Sequence, residues 1–271
     1  MVQGQLPIAD LRSRIGRPDC PAIIDVRRRE AYERAADRLP AARWRDHREA
    51  DRWADAFAAG SEIVVYCVHG HEVSESAAGR LRAAGLDARA LDGGIEGWRA
   101  AGLPLVAKAD LPGGDCAATR WVTRARPKID RIACPWFIRR FVDPDARFHF
   151  VAPDWVGECA TELDAIPFDI PDCRFSHDGE NCSFDAFLAA YRVREPALEK
   201  LALIIRAADT GRLDLAPEAS GLLTLSVGLS ALTSDDLVML ERGLTLYDAL
   251  YARCRDVPAE SHGWPPKEIA R

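Results

Sequence analysis

Short apolar runs and helical stripes alternate along the first hundred residues. Ala22-Ile23-Ile24, Ile63-Val64-Val65-Tyr66 and Ala88-Arg89-Ala90 have the length and content of buried strands. Ala9 to Ile15 reads as a short amphipathic helix. Arg48 to Ala59 reads as another, with Trp53 and Phe57 inward and Gly60 as its stop. Ser76 to Leu81 opens a third helix, ended by Gly85. Strands alternating with helices specify a parallel sheet covered on both faces. Trp98 and Ala101-Gly102-Leu103-Pro104 close this unit, and residues 107–118, with Pro112, Gly113, Gly114 and Asp115, turn to linker composition.

Beyond residue 118 the pattern is mostly helical, with a few early strands. Pro196 suits a helix N1 position, and Leu198, Leu201, Ile205 and Ala208 recur on one face before Gly211. Ser234-Asp235-Asp236 reads as a cap with first-turn acids. The helix it opens spaces Leu237, Leu240, Leu244, Tyr247, Tyr251 and Cys254 by threes and fours. The stripe is too short for a coiled coil, so it should pack on its own domain and leave Cys254 in the core. The predicted organisation is an α/β domain over 1–106, a linker over 107–118 and a mainly helical domain over 119–271.

Composition adds three constraints. At 271 residues, 48% hydrophobic and 29% charged, the chain is globular and long enough for two cores. The net charge of -6 gives no general attraction to nucleic acid or an acidic membrane, and no stretch approaches the roughly 18 apolar residues of a membrane span. Eight cysteines without a C-x-x-C pair point to thiols in a reducing cytoplasm rather than a disulfide framework.

Candidate chemistry begins at Cys67-Val68-His69-Gly70-His71-Glu72-Val73-Ser74. This segment puts a thiol where a strand ends and a helix begins. The unpaired N–H groups and the positive end of the helix dipole there favour an anion, hence a thiolate or an anionic substrate. Asp25-Val26-Arg27 ends a neighbouring strand, Leu39-Pro40-Ala41-Ala42 follows, and Leu91-Asp92-Gly93-Gly94-Ile95-Glu96-Gly97-Trp98 comes after the third strand. In that order these segments resemble the rhodanese sulfurtransferase family over about residues 5–106. The resemblance implies a three-layer α/β domain in which Cys67 attacks a sulfane sulfur, becomes a persulfide and passes the sulfur to a thiophilic acceptor. No cofactor is required. Val68, His69, Gly70, His71, Glu72, Asp25 and Arg27 would form the surrounding substrate site. The chain has Asp37-Arg38-Leu39-Pro40-Ala41-Ala42 where many members have a Gly-His-Ile-Pro-Gly-Ala-like segment. It has His69, His71 and Glu72 where many have arginine in the loop.

The second half opens with a basic island: seven basic residues against Asp130 alone between 119 and 140. Arg124, Arg126, Lys128 and Arg131 are the candidates for an oxyanion or phosphate site, with solvation or internal pairing as the alternative. Between 173 and 185, Cys173, His177, Asp178, Glu180, Cys182 and Asp185 offer mixed donors. His177, Glu180, Cys182 and Asp209 are candidate metal ligands, with Asp130 or Cys134 as distant additions, although Cys-x3-His-x4-Cys is no closed zinc pattern. Three segments, Thr123 to Trp136, Phe175 to Asp185 and Arg206 to Thr210, together with Leu246 to Tyr251, resemble the C-terminal domain of the chromate-resistance protein ChrB. That resemblance covers about residues 119–255 and implies an association with chromate resistance, with chromate or a similar oxyanion as a candidate ligand. Three functions follow: a cytoplasmic sulfurtransferase acting through Cys67, a non-catalytic oxyanion sensor, or a metal-dependent chromate-reducing enzyme centred on His177 and Cys182.

Overall fold

The computed structural model describes residues 4–111 and 118–259. Its first half contains, in chain order, β1 Gln5–Leu6, α1 Ile8–Arg14, β2 Ala22–Asp25, α2 Arg29–Arg34, β3 Asp37–Arg38, β4 Arg43–Trp44, α3 Ala50–Ala54, β5 Glu62–Tyr66, α4 Glu72–Ala83, β6 Asp87–Leu91, α5 Gly94–Ala100 and β7 Val106–Ala107. Five strands form one parallel sheet in the order β1-β6-β5-β2-β4, and β3 pairs separately with β7, antiparallel. The apolar run at β5 takes the central position because it can be buried on both faces. Ile63 and Val65 pack on one face with Leu81 and Trp53, whereas Val64 and Tyr66 pack on the other with Leu11, Ile95 and Trp98.

The second half contains β8 Arg120–Arg124, α6 Asp130–Phe137, β9 Arg147–Val151, α7 Val156–Glu162, β10 Ile166–Pro167, α8 Ser183–Tyr191, α9 Pro196–Asp209, α10 Ala219–Leu232 and α11 Asp236–Arg255. A small parallel sheet, β10-β8-β9, carries a largely helical layer. The α/β unit and the helical second half with few strands agree with the sequence pattern. Among the described residues no helix is long and apolar enough to cross a membrane.

Three local differences have physical causes. The helix expected over 48–59 is α3 alone, preceded by a 3-10 turn. Beyond Ala54 the chain continues in turns, with Ala56 donating to Trp53 O and Phe57 to Ala54 O, which sets Phe57 edge-on to Trp53 at 6.3 Å. Pro196 does open α9, and Asp235 caps α11 by accepting from the Leu237 and Val238 amides, but Leu237 itself is exposed. Met239 and Gly243 join Leu240, Leu244, Tyr247, Tyr251 and Cys254 on the buried face instead. Of the expected linker, Ala107 belongs to β7 and residues 112–117, with Cys116, lie outside the described residues.

The two halves share one apolar core, in which Leu11, Ile15 and Trp98 are continuous with Trp136, Phe141 and Tyr251. Polar contacts cross the same boundary: Ala41 N–H donates to Phe141 O at 2.6 Å, Arg38 to Val142 O at 2.9 Å, and Arg255 to Ile15 O at 2.6 Å. Ala41 holds a left-handed backbone, φ 57°, where the resembling segment has glycine, and its amide bond across the boundary holds it there. Gly16 also has positive φ, and a Cβ there would come within 2.6 Å of the Tyr251 ring and 2.8 Å of Phe141.

Candidate functional site

Cys67 leaves the C-terminal end of β5 beside the end of β2, where Asp25 and Tyr66 are register partners. In a parallel sheet this edge is where ligands collect, because the loops diverge and helix N-termini point at the gap. The Cys67 side chain is mostly buried, 7% exposed, at the base of a pocket of about 570 Å³ shared with Arg27, Arg28, Ala31, Val68, His69, His71, Glu72 and Val73. His69, His71, Glu72 and Arg28 are exposed at the rim.

The loop around the thiol is shaped by backbone approach. Ile95 N–H donates to Cys67 O at 3.0 Å and Glu96 N–H to Val68 O at 3.1 Å. In a trans peptide the C=O and the following N–H point in opposite directions, so the Val68 and His69 amides face away from α5, which contributes nothing to the pocket. Gly70 and Gly94 lie face to face with positive φ, and a Cβ on Gly70 would stand 2.5 Å from Leu91 O. Ser74 Oγ lies 3.2 Å from Cys67 Sγ and donates to His71 O at 3.1 Å. No side chain caps α4, so its first-turn amides remain available at the same end.

Asp25 and Arg27 take a different part. The fully buried Asp25 carboxylate accepts from Arg27 Nη2 at 2.5 Å, from Arg27 N–H at 3.1 Å and from Tyr66 OH at 2.8 Å. The Arg27 guanidinium also donates to Asp37 O at 3.0 Å, and Tyr66 OH accepts from Leu39 N–H at 3.2 Å. Burial and the neighbouring Asp25 charge raise the Tyr66 phenol well above its ordinary range, keeping it a neutral donor. This network braces the wall behind the pocket. Arg28, the next residue, turns outward to the rim, and the sequence signal for it was present in Arg27-Arg28-Arg29. The first arginine of that run is buried against Asp25, the second is exposed at the same pocket, and the third lies over Trp44 at 4.4 Å.

The second cluster lies in the helical half. His177 Nε2 is 3.1 Å from Asp130 Oδ2, 3.3 Å from Asp209 Oδ2 and 3.4 Å from Asp169 Oδ1. Asp130 opens α6 and Asp209 closes α9. The residue before Asp130, Ile129, has φ 44°, an unfavourable conformation for a β-branched side chain, and Tyr247 OH fixes it by donating to Ile129 O at 2.6 Å. The Asp130 hydrogen bond raises the His177 imidazole to about 9. Burial, then the Asp130 charge, raises the Asp209 carboxyl.

Other expected ligands are elsewhere. Glu180 is solvent-exposed and paired with Arg212 at 2.8 Å. Cys182 is fully buried and caps α8 reciprocally with Asp185, and burial pushes its thiol and that of Cys134 well up, so both are neutral. Asp169 had no pattern to mark it in the sequence; folding brings it in after β10. His177, Cys173, Asp178 and Cys182 line an open pocket of about 750 Å³ that also includes Arg174 and Arg192.

The basic island is largely committed to the protein. Arg124 and Arg131 pair with Asp169 at 2.8 and 3.2 Å, Arg131 also donates to Ala125 O, and Arg126 donates to Asp236 and to Ser230. Lys128 is half-buried beside them. A charge surplus in the sequence is therefore mostly internal pairing in the fold.

Two family models match the chain: the rhodanese-like domain over residues 8–101 and the C-terminal domain of ChrB over residues 121–254. Protein ChrB from Cupriavidus metallidurans is 37% identical over 134 residues, which are 49% of this chain and 40% of that protein, so the chain matches less than half the length of this relative. Among solved structures, a rhodanese-related protein from Thermoplasma volcanium is 23% identical over 38% of this chain and 97% of its own, with a TM-score of 0.33. A rhodanese-like domain protein from Staphylococcus aureus is 23% identical over 35% of this chain and 91% of its own, with a TM-score of 0.32.

Proposed function

We propose that this chain, which joins a rhodanese-like domain to a ChrB C-terminal domain, is a sulfurtransferase that moves sulfane sulfur through a persulfide on Cys67 in association with chromate resistance. The observation that carries the reading is the seat of Cys67: a thiol at the base of an accessible pocket, next to the uncapped N-terminus of α4. An anionic donor such as thiosulfate enters past Arg28, and the α4 dipole and loop amides hold its charge. The Cys67 thiolate attacks the outer sulfur, the S–S bond breaks, and sulfite leaves with the bonding pair. The loop amides then hold the persulfide anion until a thiophilic acceptor takes the terminal sulfur and the thiolate is restored. Ser74 positions the nucleophile through its 3.2 Å contact. The seven described cysteines are all free, which supports a reducing compartment, the cytoplasm. The likeness of the second half to ChrB supports the link to chromate.

Intact mass after thiosulfate tests the reading. The wild-type chain should gain about 32 Da, one sulfur, removable by cyanide, and Cys67→Ser should gain nothing while keeping its fold. Sulfur retained on Cys67→Ser, or none on the wild type with any sulfane donor, would defeat it.

A further inference from the structure

We propose that Asp130, His177 and Asp209, with Asp169 behind them, form a binding site for one divalent transition-metal ion of the Mn2+, Fe2+ or Zn2+ class. The inference does not rest on sulfur transfer at Cys67.

Charge accounting is the first argument. Asp169 already has two cations on it, Arg124 and Arg131. Asp130 is 2% exposed, and among the described residues no arginine, lysine or backbone amide reaches its side chain; His177 and the Asp209 carboxyl are its partners. Asp209, also largely enclosed, has the same imidazole as its ion-pair partner. Two carboxylates in a poorly solvated site thus share a single imidazole. Buried charges without compensation are costly, and with one imidazolium as the only cation the two acids are balanced only if they share a proton. A divalent ion with a neutral imidazole balances Asp130 and Asp209 fully.

Geometry is the second argument, and it is independent of charge. An imidazole Nε2 carries at most one hydrogen, yet this one has three carboxylate oxygens at 3.1, 3.3 and 3.4 Å. One N–H cannot point at three acceptors. Metal ligands, by contrast, stand about that far apart: with bonds of about 2.1 Å, neighbouring donors are separated by about 3.0 Å in an octahedron and about 3.4 Å in a tetrahedron. The donor atoms of Asp130, His177 and Asp209 all lie within 4.8 Å of one another.

The donor set selects the ion. Carboxylates with one imidazole suit Mn2+, Fe2+ or Zn2+, whereas soft Cu(I) prefers sulfur and Ca2+ an all-oxygen shell. The nearby Cys182 thiol is committed to its helix cap and supplies no thiolate. His177 lines the open pocket of about 750 Å³ whereas Asp130, Asp169 and Asp209 do not, so the cluster meets solvent through the imidazole.

The test uses the full chain stripped with EDTA, offered Mn2+ or Zn2+ alone, then desalted, with metal measured by elemental analysis and stability by melting temperature. The expected result is about one ion per chain and a raised melting temperature for at least one of the two metals. Asp209→Asn and His177→Ala should each weaken binding by about tenfold or more, while Glu180→Gln and Cys67→Ser bind like the parent. His177 lies in a loop with 42% of its side chain exposed, so its removal leaves the core intact and separates loss of metal from loss of fold. A parent chain that retains neither ion at micromolar concentration, or variants at 177 and 209 that retain it undiminished, would overturn the proposal.

Discussion

Gly94 sits on the carbonyl of Cys67: a Cβ at Gly94 would stand 2.5 Å from that oxygen and 2.6 Å from the amide nitrogen of Gly70. The turn after β6 and the loop after β5 are therefore fitted backbone to backbone, and the thiol's position depends on a residue with no side chain. Gly94→Ala must carry a left-handed conformation as well as this clash. A stability loss of at least about 2 kcal/mol is expected in a denaturant titration. The variant that remains folded should lose most of its persulfide formation, because the Cys67 carbonyl must move.

Arg28 and Arg27 are adjacent but should respond differently to truncation. Arg28→Ala removes a rim cation and should raise the KM for thiosulfate by about tenfold, the worth of one exposed charge-assisted contact of roughly 1.4 kcal/mol, with kcat little changed. Steady-state kinetics at constant ionic strength reads this directly, and an unchanged KM would remove Arg28 from the donor's path.

Asp25→Asn tests the brace behind the site. It leaves the buried Arg27 guanidinium without its counter-charge and weakens the Tyr66 hydrogen bond, so the folded state should lose about 3 kcal/mol. In the proposed sulfur transfer, the KM of the remaining folded protein should stay near that of the wild type, since the carboxylate is fully buried and faces Arg27 and Tyr66.

Acid should act at the boundary between the halves. Asp143 accepts from Thr119 N–H and Oγ1–H at 2.7 Å each and pairs with Arg43 of the first half, and together these contacts hold its carboxyl below the ordinary range against the opposing effect of burial. A depressed folded value means that the stabilisation is present above the unfolded value, roughly 3.9, and is lost as pH falls through the folded one. Asp143→Asn should therefore cost about 2 kcal/mol at neutral pH, and the difference from wild type should shrink below about pH 4. Melting temperatures across that range check the sign.

The parts of the fold that were legible in the sequence are those whose cause is local. The β-branched run at Ile63 to Tyr66 is a central strand, Pro196 opens a helix, and Asp235 caps one, each by chemistry within a few residues. Cys67 was also legible because the strand before it and the helix after it announce the junction. The distant grouping was legible only in part. His177 and Asp209 were candidate ligands with Asp130 as a distant addition, and the fold brings these three together; Asp169 carried no signal, and the candidates Glu180 and Cys182 are turned outward or used as a cap. The basic island left both of its fates open for a related reason: a charge count carries no information about which carboxylates arrive from elsewhere.

The absent side chain at Gly16 has a consequence for transplanting parts of this protein. Tyr251 and Phe141 occupy the space that a Cβ there would need, and Ala41 reaches across to the Phe141 carbonyl. A different α/β domain joined to this helical half would have to present a surface that fits these rings. Because the halves share one core, a chimera would lose this fit, so exchange of the α/β half requires recasting positions 16 and 41 along with it.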